Sequence, residues 1–440
     1  MRIVKIKKGE ESSIISCFTN RREGDLNKID RDVIQIIKKV RSEGDQGLFH
    51  YNMRFDGVSS ETLNSELRVS NHEIESAYLT IDKEVREALI KAATKIYDFH
   101  LKQLEKTWTS KEGNGVILGQ LIRPIENVGI YVPGGKAAYP STVLMNVIPA
   151  KIADVKRIVL VTPPQKDGSI NPYVLAAAKI TGVDEIYKIG GAQAIAALAY
   201  GTKSIKAVDK ITGPGNIYVA RAKKLVFGIV AIDMIAGPSE ICIIANEKAN
   251  ADFIAADMLS QAEHDEMASS VLITTSGELA EEVFSKVADQ LSKLERESIA
   301  MMSIHNNGII FVAEDIDSCF AISNYFAPEH LEILLDHPIS YLEHVKNAGA
   351  IFLGSYSPEA LGDYYAGPNH TLPTGGTARF ASPLGVYDFI KKSSIIYYPK
   401  EVLYNEKDQI MAIADKEGLT AHARAIEIRF DPHKGADHEQ

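Results

Sequence analysis

A chain of 440 residues with 24% charged and 45% hydrophobic side chains has the composition of an ordinary soluble protein, long enough to form two or more domains. Its formal net charge of -10 argues against a nucleic-acid-binding surface, which needs clustered Lys and Arg, and fits a small cationic substrate or a metal better. Cys17, Cys242 and Cys319 are few, odd in number and far apart, which excludes a disulfide framework and a thiolate metal site and leaves buried thiols in a reducing cytosol.

The first residues, MRIVKIKKGEESS, are basic but lack the apolar stretch of a signal peptide, and no later apolar run is long enough to cross a bilayer, so a cytoplasmic protein without membrane attachment is expected. Ile3, Val4 and Ile6 alternate briefly, which suits an arm or edge strand within residues 1–24. From Arg31 to about Lys106 the apolar period is near 3.6: Val33, Ile36, Ile37 and Val40 form one stripe, and Ala88, Leu89, Ala92, Ala93 and Ile96 another. These segments predict helices with core-facing stripes.

From Ile125 the texture becomes strand, Gly-rich turn, helix, repeated. Strands at Val128–Tyr131, Arg157–Val161, Glu185–Ile189 and Lys210–Thr212 run into Pro133-Gly-Gly135, Thr162-Pro-Pro164, Gly190-Gly-Ala-Gln193 and Gly213-Pro-Gly-Asn216, each followed by a helical stretch. Four such units imply a parallel sheet with its Gly-rich loops on one edge, where open α/β sheets bind ligands. No Gly-x-Gly-x-x-Gly fingerprint is present, and each loop taken alone is weak evidence that reads more readily as a plain tight turn than as a ligand loop. A second βαβ stretch follows, with strands at Glu240–Ile244, Ser270–Thr274, Gly308–Val312 and Ala350–Leu353. The fold class expected is α/β: two Rossmann-like doubly wound parallel sheets, a helical N-terminal segment and a small C-terminal tail domain. The expected division is an arm at 1–24, a first α/β domain at 25–120 plus 238–382 carrying metal and catalytic residues, a second at 121–237 carrying the ligand loops, and a dimer-contacting tail at 383–440.

Four acidic and histidine clusters lie in the second half: Gln261-Ala-Glu-His264, Glu329-His330, Asp363 after Gly362, and Glu417 with His422. Together they supply a divalent-metal ligand set and a separate acid/base pair, which an enzyme needs and a binding scaffold does not. On the helix predicted from Asn250, Ile254, Met258 and Gln261 share a stripe, so the Gln261 amide faces the packed side, with His264 one turn on. Chelation of a metal and a merely satisfied amide beside an exposed His both fit. Pro328 disfavours helix at Ala327, so Glu329 and His330 sit where a helix hands over to the strand Leu331–Leu335, pointing in different directions. Asp363 falls in a turn-rich run continuing to His370, which reads as either supporting or structural, and Thr420 is a predicted cap for His422–Ile428.

Read together, these segments resemble histidinol dehydrogenase from about Glu126 to Ile428, through Gly129-Ile-Tyr-Val-Pro-Gly-Gly135, Gly190-Gly-Ala-Gln-Ala194, Thr212-Gly-Pro-Gly-Asn216, Ala236-Gly-Pro-Ser-Glu240, Ser260-Gln-Ala-Glu-His264, Ala327-Pro-Glu-His-Leu331, Gly362-Asp363, Asn369-His370 and Thr420-Ala-His422. The resemblance implies a cytosolic homodimer, with one zinc per subunit and an active site shared between subunits, that oxidises L-histidinol to L-histidine through the aldehyde with two NAD⁺, the last steps of histidine biosynthesis. It implies Gln261, His264, Asp363 and His422 as zinc ligands, with His422 from the partner chain; Tyr131, Gln193 and Asn216 as NAD contacts; Ser239, Gln261, His264, His330, Asp363, Glu417 and His422 as substrate contacts; and Glu329 with His330 as the catalytic pair. A zinc-dependent amidohydrolase is the rival enzyme class, but it would need no dinucleotide loops. A non-catalytic metal or nucleotide sensor would need no Glu329-His330 pair.

Overall fold

The computed structural model describes residues 1–10, 26–134 and 139–431. Cys17, Gly135, most of the arm expected at 1–24 and the polar end Lys434–Gln440 lie outside the described residues. The chain divides into two units, Met1–Leu104 with Pro124–Phe389, and Glu105–Arg123 with Ile390–Gln440.

In chain order the strands are β1 (Arg2–Lys5), β2 (Trp108–Lys111), β3 (Ile117–Pro124), β4 (Asn127–Tyr131), β5 (Arg157–Thr162), β6 (Glu185–Lys188), β7 (Lys210–Thr212), β8 (Ala231–Ile232), β9 (Glu240–Ala245), β10 (Ser269–Thr274), β11 (Ile309–Val312), β12 (His330–Leu334), β13 (Ala350–Leu353) and β14 (Ile390–Tyr397). The central strands are largely apolar because both faces are covered: every residue of β9, β10 and β12 is buried. Two sheets in the larger unit are wholly parallel, as expected, with orders β6-β5-β4-β7-β8 and β1-β11-β10-β9-β12-β13. In each, the first strand of the run sits centrally and the winding reverses beside it, between β4 and β7 in one sheet and between β9 and β12 in the other. β1 extends the edge of the second sheet beside β11.

The N-terminal helices dock differently from the expected division. Helix Leu26–Glu43 packs on helices Gly191–Tyr200 and Ile217–Val226, while helices Asn71–Thr80 and Lys83–His100 pack on Pro140–Ile152 and Pro172–Thr181. Val33, Ile36, Ile37, Val40, Leu48 and Leu67 therefore share a core with Val159, Tyr187, Ile195 and Ile211, so residues 26–100 clothe the sheet of 121–237 rather than joining 238–382. The second stripe buries Leu89, Ala92 and Ile96 but leaves Ala88 exposed. A helix not foreseen, Glu297–Asn307, packs with Ala251–Ala262 beside the second sheet. Cys242 and Cys319 are buried free thiols, as the sequence suggested.

The smaller unit is not a tail alone. Strand β14 pairs with β3, and β3 with β2 in antiparallel register, so residues from 105–123 build its three-stranded sheet. Helices Lys400–Lys416 and Thr420–Glu427 pack on each other within it. No described helix is long and apolar enough to cross a membrane.

Candidate active site

Helix Ile316–Phe326 stops at Ala327, whose φ of 50° is left-handed, immediately before Pro328. The proline ring clashes with helical backbone at the residue before it, so the chain turns here and delivers Glu329 and His330 to the amino-terminal edge of the second sheet. His330 opens β12 beside Glu240 and Ile241 at the start of β9. Both side chains are buried, at 6% and 3% exposure, and both are tied to Glu240: its N–H donates to Glu329 Oε2 at 2.9 Å, and its carbonyl lies 3.0 Å from His330 Nδ1. A carbonyl can only accept, so Nδ1 carries a hydrogen and, when the ring is neutral, Nε2 has the lone pair. That Nε2 is buried without a hydrogen-bond partner, 3.5 Å from Asp363 Oδ1.

Two helices bring the remaining groups to this edge. Ala251–Ala262 ends with fully buried Gln261 and passes to His264. With the Gln261 amide oriented to satisfy its neighbours, Oε1 lies 3.1 Å from His264 Nδ1, and Nε2 donates to Glu359 Oε1 at 3.1 Å and to the Glu240 carbonyl at 3.3 Å. Glu359 and Asp363 are one helical turn apart on Glu359–Tyr364, where the sequence reading expected irregular backbone. This short helix is anchored by the buried Glu332, whose Oε1 accepts the Glu359 N–H at 2.9 Å. His264, Glu359 and Asp363 each offer a ligand atom, all within 4.8 Å of one another.

The electrostatics favour a cation. Burial lifts Glu329 and Glu359 to about 8 and Glu332, with the Asp257 carboxyl near it, to about 9. Burial also holds His264 below its usual value, in the neutral form a metal requires. For His330, burial acts downward, but Glu359, Glu329 and Asp363 outweigh it and raise it well above its ordinary range. Burial pushes Asp363 upward too, yet the nearby imidazoles of His330, His370 and His264 together outweigh it and hold it low. So many carboxyls around two imidazoles, at the negative end of helix Ala251–Ala262, suit a divalent ion.

The first sheet presents other chemistry at its carboxyl edge. Tyr131 ends β4, and its hydroxyl accepts the Gly191 N–H at 3.1 Å. Thr212 ends β7, and Asn216 caps the next helix through Oδ1, which accepts from Tyr218 N–H at 3.0 Å and Val219 N–H at 3.2 Å. Gln193 is buried in the first turn of Gly191–Tyr200. Gln193 Oε1, Thr212 Oγ1 and Asp56 Oδ2 are buried with no hydrogen-bond partner. The two helix N-termini suit a phosphate-bearing ligand, and the unpaired oxygens suit a ligand's hydroxyl or amide donors.

Ser239, partly buried, immediately precedes Glu240, and its carbonyl accepts the Ser269 N–H at 3.0 Å. His370 Nδ1 donates to the Asp363 carbonyl at 2.8 Å, a supporting contact. Glu417 and His422 lie in the smaller unit, at the C-cap of Lys400–Lys416 and in the first turn of Thr420–Glu427, and both are exposed. Thr420 does not cap: Leu419 holds that position without a side-chain bond. Sequence reasoning missed Glu359, Glu332, Asp257 and Asp56. The only signal for Glu359 was its place behind Pro358 at a helix start.

The family model for histidinol dehydrogenase matches residues 19–430. The chain is 58% identical over 404 residues to histidinol dehydrogenase of Listeria monocytogenes, covering 92% of this chain and 93% of that one. It is 51% identical over 430 residues to that of Syntrophotalea carbinolica, covering 98% and 99%. The crystal structure of histidinol dehydrogenase from Elizabethkingia anophelis superposes with a TM-score of 0.90 at 39% identity, covering 98% of each chain. The buried acid/base pair beside a metal-suited cluster, the two parallel sheets and the near-complete match lead to one assignment: the chain belongs to the histidinol dehydrogenase family of oxidoreductases.

Proposed function

We propose that the protein oxidises L-histidinol to L-histidine through L-histidinaldehyde, using two NAD⁺ and one zinc per subunit, in the last steps of histidine biosynthesis. The observation that carries this reading is the placing of Glu329 and His330 within one buried cluster that also holds Gln261, His264, Glu359 and Asp363. The donor set fits zinc, with Gln261, His264 and Asp363 from this unit as ligands, His422 as the fourth and Glu359 adjoining them. Bound there, zinc would supply a Lewis-acidic anchor for the substrate's nitrogen atoms. Tyr131, Gln193 and Asn216, with Thr212 and Asp56, suit the dinucleotide, which accepts hydride when bound.

The chain's own groups then divide the proton work. His330 Nε2, which carries the lone pair when the ring is neutral, takes the hydroxyl proton as the alcohol carbon gives up hydride, yielding the aldehyde and one NADH. Glu329 removes a proton from water as its oxygen adds to the aldehyde carbon. His330 takes a proton again as the second hydride leaves, yielding the carboxylate and a second NADH. One water enters, and three protons are released. Ser239, Glu417 and His422 complete the substrate contacts.

We further infer a homodimer in the cytoplasm whose sites take His422 and Glu417 from the partner chain, which accounts for two exposed residues on a small unit otherwise remote in sequence. Spectrophotometric counting of NADH per histidinol tests the central reading: two is expected, and none refutes it. Asp363→Asn and His422→Asn should each abolish activity, while a purified heterodimer of the two should recover about half the activity per dimer. A folded but inactive heterodimer would place all ligands in one chain.

A further inference from the structure

Lys223 and Asp233 form an ion pair whose side chains are only 2% and 1% exposed. Isolated charges this deep are costly, and a pair of apolar residues of similar volume would hold a core as well or better. The pair is organised around a single residue. Lys223 Nζ donates to the Gly213 carbonyl at 2.9 Å, and Asp233 Oδ2 accepts the Gly213 N–H at 2.8 Å. Both polar groups of one loop glycine are thus held by the two halves of one ion pair.

That glycine has no freedom elsewhere. Its φ is +107°, and a Cβ added there would meet the Tyr131 carbonyl oxygen at 2.1 Å. Gly213 is pressed against the end of β4 at the switch point, three residues before Asn216. Lys223 reaches back from the helix that Asn216 caps. Asp233 follows β8, its own N–H donating to the Ile211 carbonyl at 3.2 Å and its Oδ1 accepting from Met234 N–H at 2.6 Å. From Asp233 the chain runs to Ser239 and into β9, so one pair fixes both the loop of the first sheet and the departure of the segment leading to the second.

We propose that Lys223 and Asp233 are positioning residues for the dinucleotide: they hold the Gly213–Asn216 loop against Tyr131 in the conformation that receives NAD⁺. This rests on reading that loop as dinucleotide-binding. Neither side chain is accessible to the ligand, and both act through the Gly213 backbone.

The test separates positioning from packing. Single substitutions leave a buried unpaired charge and threaten folding, so the informative protein is the neutral double variant Lys223→Met/Asp233→Leu. With zinc content and melting temperature near wild type, its Kd for NAD⁺ by titration calorimetry should rise about tenfold or more, the loss of roughly one to two hydrogen bonds' worth of preorganisation. Its KM for histidinol should change less than about twofold. If that variant does not fold, Lys223→Met/Asp233→Asn keeps an acceptor for the Gly213 N–H, and a smaller rise of about threefold is expected. An unchanged NAD⁺ Kd in either folded variant overturns the proposal and makes the pair a core contact. Absence of NAD⁺ binding by the wild-type protein would instead refute the dinucleotide reading itself.

Discussion

The sheet β6-β5-β4-β7-β8 and the sheet built on β9–β13 are wound alike but present their chemistry at opposite edges. Tyr131 and Thr212 end their strands, with Gln193 and Asn216 in the loops and helix starts beyond. Ser239, Glu329 and His330 precede or open theirs, and Gln261 lies at a helix end. In a parallel sheet the returning helices are antiparallel to the strands, so the carboxyl edge faces helix N-termini and the amino edge faces helix C-termini. The first carries partial positive charge and suits phosphate; the second carries partial negative charge and suits a cation. One winding therefore yields an anion-binding edge and a cation-binding edge, and the proposed cofactor and metal divide accordingly.

The largest effects should come from the amino edge. His330→Asn removes the Nε2 base and should slow both half-reactions by about 10²–10⁴-fold with zinc retained. Loss of zinc as well would make His330 a ligand. Glu329→Gln should produce a comparable loss starting from the aldehyde, with less effect on the alcohol step, because only the aldehyde needs water. Equal losses in single-turnover assays of the two steps would contradict that division.

A smaller effect is expected from Glu359. Its carboxylate accepts from Gln261 and shares the cluster with His264 and Asp363, so Glu359→Gln should weaken zinc affinity by about 10–100-fold in a chelator competition while leaving NAD⁺ binding unchanged. A fall in NAD⁺ affinity of similar size would mean that the two edges are not independent.

The carboxyl edge was far more legible from sequence than the amino edge. Its strands are short apolar runs that end in Gly-rich loops, so Tyr131, Gln193 and Asn216 could each be referred to a strand end or a helix start by local rules alone. Gln261 and His264 were also legible, being three apart at a helix end. Glu359 was not: its helix is anchored by the N–H that Glu332 receives, and nothing local links those positions. The docking of helices 26–100 was hidden for a related reason: an apolar stripe specifies that a helix is covered, not which sheet covers it. Likewise β14 pairs with β3 across most of the chain length, and no local pattern announces that contact.

The mildest prediction concerns pH and the metal-free protein. Glu329 and Glu359 titrate near 8 and Glu332 near 9 in the folded chain, all above the ordinary carboxyl range. A carboxyl whose pKa is raised by folding binds its proton more tightly in the native state. Its contribution to stability is therefore complete below about pH 4.5, the unfolded value, and is lost as pH rises through the folded value. The metal-free protein should accordingly lose melting temperature progressively between about pH 5 and pH 9, by several degrees in total. Zinc opposes this, since a divalent cation favours the ionised carboxylates and the neutral form of His264, so the stabilisation it confers should grow across the same interval. The carboxyl edge contributes little slope above about pH 7, because Asp56, lifted by burial to about 6, is ionised there and Tyr131, held near 12, does not titrate. Saturating NAD⁺ should then shift the whole melting curve by a nearly constant amount from about pH 7 to 9. A zinc stabilisation independent of pH, or an NAD⁺ stabilisation that tracks it, would show that the acidic cluster is not what the metal engages.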